Sequence, residues 1–190
     1  MPPPPLRRLF LALDLPPDVT AALTAWRPPI PGARWLPEDH LHLTTRFLGP
    51  TDPERLAAIT EVVRGLRSDP VPVTTGALLR LPSARRPRAL AVAVDDSRAL
   101  RAVVGRLDRR LAEVGVPGRD LAFLPHVTLA RFRPPDPTVL RKALRGIDPP
   151  SASGVAASVS LVESLPDDTG AHYVTLLCVP LVETAPASGG

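Results

Sequence analysis

The sequence predicts an α+β fold with a largely antiparallel sheet, divided between two similar lobes. Strand candidates occur in runs, and helix candidates lie between only some of them, which favours an antiparallel over a parallel sheet. A strand carrying His42-Leu43-Thr44 is followed by a proline-capped helix, and so is a later strand carrying His126-Val127-Thr128. The two motifs are 84 residues apart, which is far too long for a solenoid repeat and indicates two duplicated lobes.

The first half of the chain alternates strand and helix signals. Residues 6–15 are apolar and end at a proline pair, which predicts a strand, and apolar residues then recur at helical spacing up to Trp26. Residues 34–36 and 41–48 are typical of strands. Residues 51–54 combine a capping side chain, a proline at the first helical position and an acidic residue, so a helix is predicted to begin there.

The second half continues with two strands, residues 71–81 and 89–94, joined by an arginine-rich loop at residues 83–88. Asp96 and Ser97 open a second long helix, which ends before Gly115. The remaining predicted elements are a strand at 126–132, a short helix capped by Asp136-Pro137 and closed by Gly146, and a hairpin of strands 155–165 and 172–181 around residues 166–170.

The two ends are predicted to be disordered, because residues 1–5 are nearly all proline and residues 184–190 are small and uncharged. Residues 6–183 are expected to form a single bilobal domain. No apolar run approaches the roughly 20 residues of a membrane span, and the short apolar run near the N-terminus lacks a signal-peptide cleavage site. A cytoplasmic monomer without membrane contact is therefore expected, and the single cysteine excludes a disulfide framework.

The net charge of +4 comes almost entirely from arginine, since Lys142 is the only lysine among 23 basic residues. Arginine offers a planar fork of donors suited to phosphate oxygens, which is compatible with a phosphate-bearing partner. A chain rich in alanine, proline and arginine also uses arginine as its ordinary surface cation, and composition alone favours that interpretation.

Two of the four histidines stand in matching contexts. Alternate side chains of a strand share a face, so His42 and Thr44 are expected to point to one side, with Leu41, Leu43 and Phe47 on the other. His126 and Thr128 likewise share a face. A single His-x-Thr is usually a surface or half-buried histidine, but its repetition at equivalent points of two similar segments favours a functional pair.

A metal site is a weaker interpretation of these histidines than acid–base catalysis. Zinc usually takes three or four nitrogen, sulfur or carboxylate ligands, whereas the partners two positions on are threonines. No acidic residue lies within three positions of His126, although Glu38 and Asp39 precede His42. Two imidazoles without a metal are suited to paired general acid–base catalysis, and nearby hydroxyls and arginines to holding a phosphate. Displacement at phosphorus in a 2′,3′-cyclic phosphate fits this set, with either histidine as the acid.

The motif residues carry a specific resemblance. Trp35-Leu36-Pro37-Glu38 and residues 42–49, followed later by residues 125–132, resemble the two HxTx motifs of the 2H phosphoesterase superfamily. The opening residues 8–16 are similar to the first strand of its RNA 2′,3′-cyclic phosphodiesterase family, historically called 2′-5′ RNA ligases. The likeness extends from about residue 8 to residue 181.

The resemblance implies a bilobal phosphoesterase domain over residues 6–183. Each of its two pseudo-symmetric lobes would be an antiparallel sheet with helices on the outside, and one histidine from each lobe would meet in a central cleft. It also implies hydrolysis of RNA 2′,3′-cyclic phosphate ends to 2′-phosphates without a metal or cofactor. Partners would be RNAs such as tRNA fragments, and reversible 2′–5′ ligation would be a second activity.

The resemblance also implies roles for individual residues. His42 would be the proton donor and His126 the proton acceptor, while Thr44 and Thr128 would contact the phosphate. Arg131 would bind substrate, although in a regular strand it faces away from His126 and needs a bulge or the strand end to reach the site.

Residues outside the motifs have weaker expectations. Arg46 shares the parity of His42. His40 and His172 match no catalytic position, and His40 is expected on the His42 face where the strand begins. Tyr173 is expected in the core or at the rim rather than as a base-stacking platform, as are Trp26 and Trp35.

Two alternatives remain open. The same site could act on small cyclic or 2′–5′-linked nucleotides. A non-catalytic RNA-end binding module would instead use arginines for affinity, namely Arg46, Arg80, Arg85, Arg86 and Arg88. The intact histidine and threonine in both motifs argue against the binding module, since binding alone does not need a proton donor and acceptor together.

Overall fold

A computed structural model describes residues 5–132, 137–167 and 170–182. The predicted disordered ends, residues 1–5 and 184–190, lie outside the described residues except for Pro5. The predicted cap Asp136 and part of the turn at residues 166–170 also lie outside them.

The described residues form nine strands, four α-helices and one short 3₁₀ helix. The 3₁₀ helix, Glu38–His40, precedes β3. The α-helices are α1 Pro17–Ala25, α2 Pro53–Arg64, α3 Arg98–Glu113 and α4 Pro137–Ala143. The strands are β1 Arg7–Asp14, β2 Ala33–Trp35, β3 His42–Thr51, β4 Val71–Leu81, β5 Ala89–Val94, β6 His126–Phe132, β7 Ser153–Ala156, β8 Ser158–Asp167 and β9 Gly170–Pro180.

The strands form one antiparallel sheet in the order β7-β4-β5-β6-β3-β1-β8-β9, and β2 adds to β6. The order divides into two groups of four strands that meet where β3 lies beside β6. A single pair of residues, Leu43 and Val127, joins β3 to β6 in the described structure. The predicted α+β fold with two lobes of antiparallel sheet is confirmed.

The helices α2 and α3 begin where the sequence predicts and cover one face of the sheet. The Asp52 side chain accepts a hydrogen bond from the Arg55 amide (2.8 Å), and the Ser97 side chain accepts one from the Leu100 amide (3.2 Å). Each of these bonds satisfies one amide that the first helical turn would leave unpaired. The apolar stripe of α3 packs against the sheet and is fully buried: Leu100, Val103, Val104, Leu107 and Leu111. The opposite face of the sheet is left for the cleft.

The prediction of one strand at residues 155–165 is wrong. The segment forms two strands, because β7 pairs with β4 while β8 pairs with β1 at the other side of the sheet. Ala157 separates them. The chain therefore passes from one lobe to the other within a stretch of continuous strand-like sequence, and its alternating hydrophobicity does not mark the crossing.

Candidate active site

Two strands bring the histidine motifs together. Leu43 and Val127 are the central residues of the two motifs, and they pair across β3 and β6. Both side chains are fully buried on the core side of the sheet. Continuing the antiparallel register by one residue in each direction places His42 across from Thr128, and Thr44 across from His126. All four side chains are half-buried, so none is sealed beneath aliphatic neighbours.

These four side chains line one cleft of about 580 Å³. Arg131 lines it as well, so all five predicted site residues lie in the same cleft. Phe47 of β3 lines it too, and other strands of the sheet add further lining residues: Arg8 and Phe10 of β1, Ser164 of β8 and Tyr173 of β9. Among the residues the structure describes, no Asp or Glu lines this cleft. It is therefore suited to an anion.

A backbone carbonyl two residues upstream orients each histidine ring. Nδ1 of His126 lies 2.7 Å from the Leu124 carbonyl oxygen, and the His42 ring makes a corresponding hydrogen bond to the backbone of His40. A carbonyl only accepts, so the bonded ring nitrogen carries a proton. The second nitrogen of each ring is then left to accept or donate a proton in the cleft.

His42 packs among aromatic rings. It stacks on Phe10, with ring centroids 4.8 Å apart and an interplanar angle of 27°, and meets the edge of Tyr173 at 5.3 Å. Burial is the main reason that the pKa of His42 falls to about 4, and the charges of His40 and Arg131 lower it further. The hydrogen bond to the His40 backbone and the charge of Asp14 oppose this shift in pKa. His42 is therefore neutral at pH 7 in the free protein.

A β-bulge in β6 explains how Arg131 reaches the cleft. Leu90 of β5 pairs with Ala130, but the next residue, Ala91, pairs with Thr128, so Leu129 is an extra residue in β6. The extra residue reverses the alternation that follows it, and Arg131 comes to the same face as His126. Sequence analysis named a bulge as one of the two ways in which this could happen.

A second bulge in β3 overturns the expected orientation of two residues. Leu11 of β1 pairs with Arg46 and Ala12 with Thr44, so Thr45 is the extra residue. Phe47 therefore lies on the cleft side, where it is 72% exposed, rather than opposite His42 as expected. Phe47 follows His42 by five residues, as Arg131 follows His126. The first lobe thus has an aromatic ring where the second lobe has a cation.

The same bulge turns Arg46 away from the cleft. Arg46 is 6% exposed, lies 3.4 Å from Asp108 of α3, and donates a hydrogen bond to the Pro117 carbonyl. Asp108 also pairs with Arg119, which donates a further hydrogen bond to the Thr45 carbonyl. Arg46 therefore fastens the segment before β6 to β3 and α3, and its shared parity with His42 does not bring it to the site.

His40 lies in the 3₁₀ helix just before β3 and not on the strand itself, but its ring contacts Tyr173 as the ring of His42 does, so the two histidines lie on the same side. The His40 ring lies 4.6 Å from that of Tyr173 and 6.3 Å from that of His172, which is exposed. Tyr173 lies at the half-buried rim, as expected, but it also lines the cleft. The other arginines considered for RNA binding do not line the cleft: Arg80, Arg85, Arg86 and Arg88.

Phe10 is a cleft residue that the sequence does not indicate. Phe10 lies in a run of apolar residues, and β1 is buried on both of its faces, so hydrophobicity alone does not distinguish the core side from the cleft side. The position of Phe10, two residues from Ala12 on the His42 side of the sheet, becomes informative only when the pairing of β1 with β3 is known.

Within residues 5–132, 137–167 and 170–182, no group of three or more His, Cys, Asp or Glu side chains is placed to hold a metal ion. In the same part of the chain, none of the helices is both long enough and apolar enough to cross a membrane.

Comparison with known proteins places this chain in a family. The model of the 2′-5′ RNA ligase superfamily matches residues 15–168. The RNA 2′,3′-cyclic phosphodiesterase of Thermus thermophilus is 34% identical over 144 residues, which cover 70% of this chain and 72% of that protein. The protein of the same name from Methanocaldococcus jannaschii is 23% identical over 128 residues, covering 66% of this chain and 72% of that protein.

Solved structures share the fold. The crystal structure of TT0787 from Thermus thermophilus has a TM-score of 0.75 and 26% identity, and the match covers 92% of this chain and 97% of that one. Escherichia coli LigT, solved in complex with 3′-AMP, has a TM-score of 0.71 and 23% identity over 94% of this chain and 99% of that one.

Proposed function

The chain belongs to the 2′-5′ RNA ligase superfamily of 2H phosphoesterases, and on that premise we propose that it hydrolyses RNA 2′,3′-cyclic phosphodiester ends to 2′-phosphomonoesters. The observation that carries the proposal is the β3–β6 register, which sets each histidine across from the threonine of the other motif in a cleft lined by no described carboxylate. The curated relatives are hydrolases of phosphoric diesters by name, and this chain is an enzyme of that class.

The reaction needs one proton acceptor and one proton donor. His126 takes a proton from water as the water oxygen bonds to phosphorus, and His42 gives a proton to O3′ as the P–O3′ bond breaks. The phosphate stays on O2′. The hydroxyls of Thr44 and Thr128 donate to the non-bridging oxygens, and Arg131 offsets their negative charge. Each positioned acid or base contributes about 10²- to 10⁴-fold to the rate.

The donor role of His42 depends on the substrate. In the free protein the pKa of His42 is about 4, so at pH 7 the ring carries no spare proton. Burial is what mainly lowers this pKa, and an anionic phosphate beside the ring raises it again because the anion favours the protonated imidazole. Family analogy supports His42 as the donor. A pKa that stayed near 4 in a complex with inorganic phosphate would instead assign His42 as the acceptor.

The test is incubation with an RNA ending in a 2′,3′-cyclic phosphate, followed by identification of the product as a 2′- or a 3′-phosphate. We expect the 2′-phosphate, and a decrease in kcat/KM of about 10²- to 10⁴-fold for His42→Gln and for His126→Gln. His172→Gln is the matched control, because His172 is exposed and outside the cleft lining. Substantial activity in either cleft variant would rule out the two-histidine mechanism.

The proposal includes no metal or other cofactor, since two imidazoles and two hydroxyls supply the acid–base and phosphate-binding groups. Hydrolysis should therefore continue at the same rate in excess EDTA, and a loss restored by a divalent cation would contradict this. All the proposed site residues come from one chain, so the site needs no second copy. The proposal is a cytoplasmic monomer that acts on RNA fragments, tRNA fragments included.

Ligation is the same displacement at phosphorus with an RNA 5′-hydroxyl in place of water as the attacking group, and its reverse is cleavage of the 2′–5′ bond. The same acceptor and donor would serve it. A mixture of one RNA with a cyclic phosphate end and one with a 5′-hydroxyl end, at high concentration, should yield a 2′–5′-linked product that His126→Gln does not form.

A further inference from the structure

Two arginines line the cleft, and neither has a carboxylate partner. Arg8 and Arg131 are both exposed, and no ion pair or hydrogen bond to either side chain is seen among the described residues. The neighbouring Arg7 is different, because it makes a bidentate pair with Glu163 on β8. No described acidic residue lines the cleft, so each of these two unpaired cations is available to bind a separate anionic group.

The two arginines lie at different places in the cleft. Arg8 begins the cleft-facing alternation of β1, which continues through Phe10 to Ala12, and Ala12 pairs with Thr44. At about 3.3 Å per residue, the Cα of Arg8 is roughly 13 Å along the strand from the level of Thr44. Arg131 is near enough to His42 for its charge to lower the pKa of that ring, whereas Arg8 is not among the groups that act on it.

An aromatic surface lies between Arg8 and the histidines. Phe10 and Phe47 pair across β1 and β3, with ring centroids 6.2 Å apart at 49°, and Phe10 also stacks on His42. Phe47 is largely exposed on the cleft side. Nucleobases stack on such rings with little dependence on sequence. Phe10 itself is buried and supports Phe47 from beneath, so a nucleoside stacked on the exposed Phe47 ring would connect a phosphate at the histidines with a second one near Arg8.

Resting on the proposed function, we propose that Arg8 forms a second phosphate subsite, which binds the phosphodiester on the 5′ side of the terminal nucleotide. The preferred substrate is then an RNA end of at least two nucleotides and not a mononucleoside cyclic phosphate. Ser164 supports this assignment, because the β1–β8 register continued by one residue places it beside Arg8, and both residues line the cleft. The subsite separates the RNA substrate from the small cyclic nucleotides that the same histidines could also open.

The test compares kcat/KM on three substrates: uridine 2′,3′-cyclic phosphate, its 5′-phosphorylated form, and the dinucleotide UpU ending in a 2′,3′-cyclic phosphate. We expect the wild-type protein to favour both phosphorylated substrates over the first by about tenfold or more, as charge-assisted hydrogen bonds do. Arg8→Gln should lower kcat/KM for the two phosphorylated substrates about tenfold more than for uridine 2′,3′-cyclic phosphate, which removes that preference. The control Arg98→Gln removes the same charge from the exposed start of α3 and should keep the preference.

Three results would overturn the subsite. The wild-type protein could show no preference, Arg8→Gln could slow all three substrates equally, or the 5′-phosphorylated nucleotide could behave like the unphosphorylated one. If the wild-type protein turns over none of them, the proposed function fails. The subsite is then judged by binding alone, and uridine 2′-phosphate and UpU 2′-phosphate should differ in affinity with the wild-type protein but not with Arg8→Gln.

Discussion

Acidification should destabilise this protein through His42 at a pH where most carboxylates are still ionised. The pKa of His42 is about 4 in the folded chain, against about 6.5 in the unfolded chain. Between these values the unfolded chain binds a proton that the folded chain does not, so the free energy of unfolding falls as the pH falls. The two pKa values give a loss of about 2 kcal/mol between pH 7 and pH 5, and about 3 kcal/mol by pH 4. Above pH 7 the contribution of His42 no longer changes.

The assay is urea unfolding at pH 7, 6 and 5 for the wild-type protein and for His42→Gln, which cannot titrate at this position. The free energy of unfolding of the wild type, minus that of the variant, should fall by about 2 kcal/mol from pH 7 to pH 5. Glu163 and Asp96, whose pKa values are lowered by their arginine partners, also lose stabilisation in acid, but they are common to both proteins and cancel.

A matched comparison uses His172→Gln, because His172 is an exposed histidine. Its difference from the wild type should stay flat across the same pH range. A flat difference for His42→Gln as well, or a His42 ring that titrates near 6.5 by NMR, would refute the reasoning. It would mean that the packing of Phe10 and Tyr173 leaves the ring hydrated.

Two further predictions concern the site and the core. Thr44→Val and Thr128→Val should each lower kcat/KM by roughly tenfold or more with little change in stability. Each substitution removes one hydrogen bond to a charged phosphate oxygen. Unchanged kinetics in both variants would show that the threonines do not bind the phosphate. Leu107→Ala should lower the free energy of unfolding by about 2–5 kcal/mol in urea, because the Leu107 side chain is fully buried between α3 and the sheet. Val139→Ala on the exposed side of α4 should change it by less than about 1 kcal/mol, and an equal loss in the two variants would contradict the packing argument.

Much of the fold follows from local patterns. The bounds predicted for β4, β5 and β6 agree with the structure, and both predicted caps, Asp52 and Ser97, make their hydrogen bonds. These features depend on short-range chemistry that the sequence displays directly. The shared face of His and Thr in each motif also follows from a local pattern, because strand alternation holds over the three residues of the motif. The bulges in β3 and β6 come only after these residues.

The failures have one kind of cause, which is a change of register that leaves no mark in hydrophobicity. One extra residue at Thr45 exchanges the faces of Arg46 and Phe47, and a break at Ala157 divides one predicted strand between two lobes. Whether a bulge is present depends on the partner strand, which local patterns do not specify. For the same reason Arg131 could be placed in the site only on condition that a bulge, or the end of the strand, brought it there.

In the described sheet, one residue pair between β3 and β6 joins the two lobes, and a rotation of one lobe against the other would be centred there. Any breathing of one lobe against the other would turn about the contact of Leu43 with Val127, where β3 and β6 touch. Displacement grows with distance from the axis of a rotation, so the two imidazoles beside it would travel least, while the outermost strands would sweep through the widest arcs. Any such rotation would therefore widen the mouth of the cleft more than it separates the two histidines.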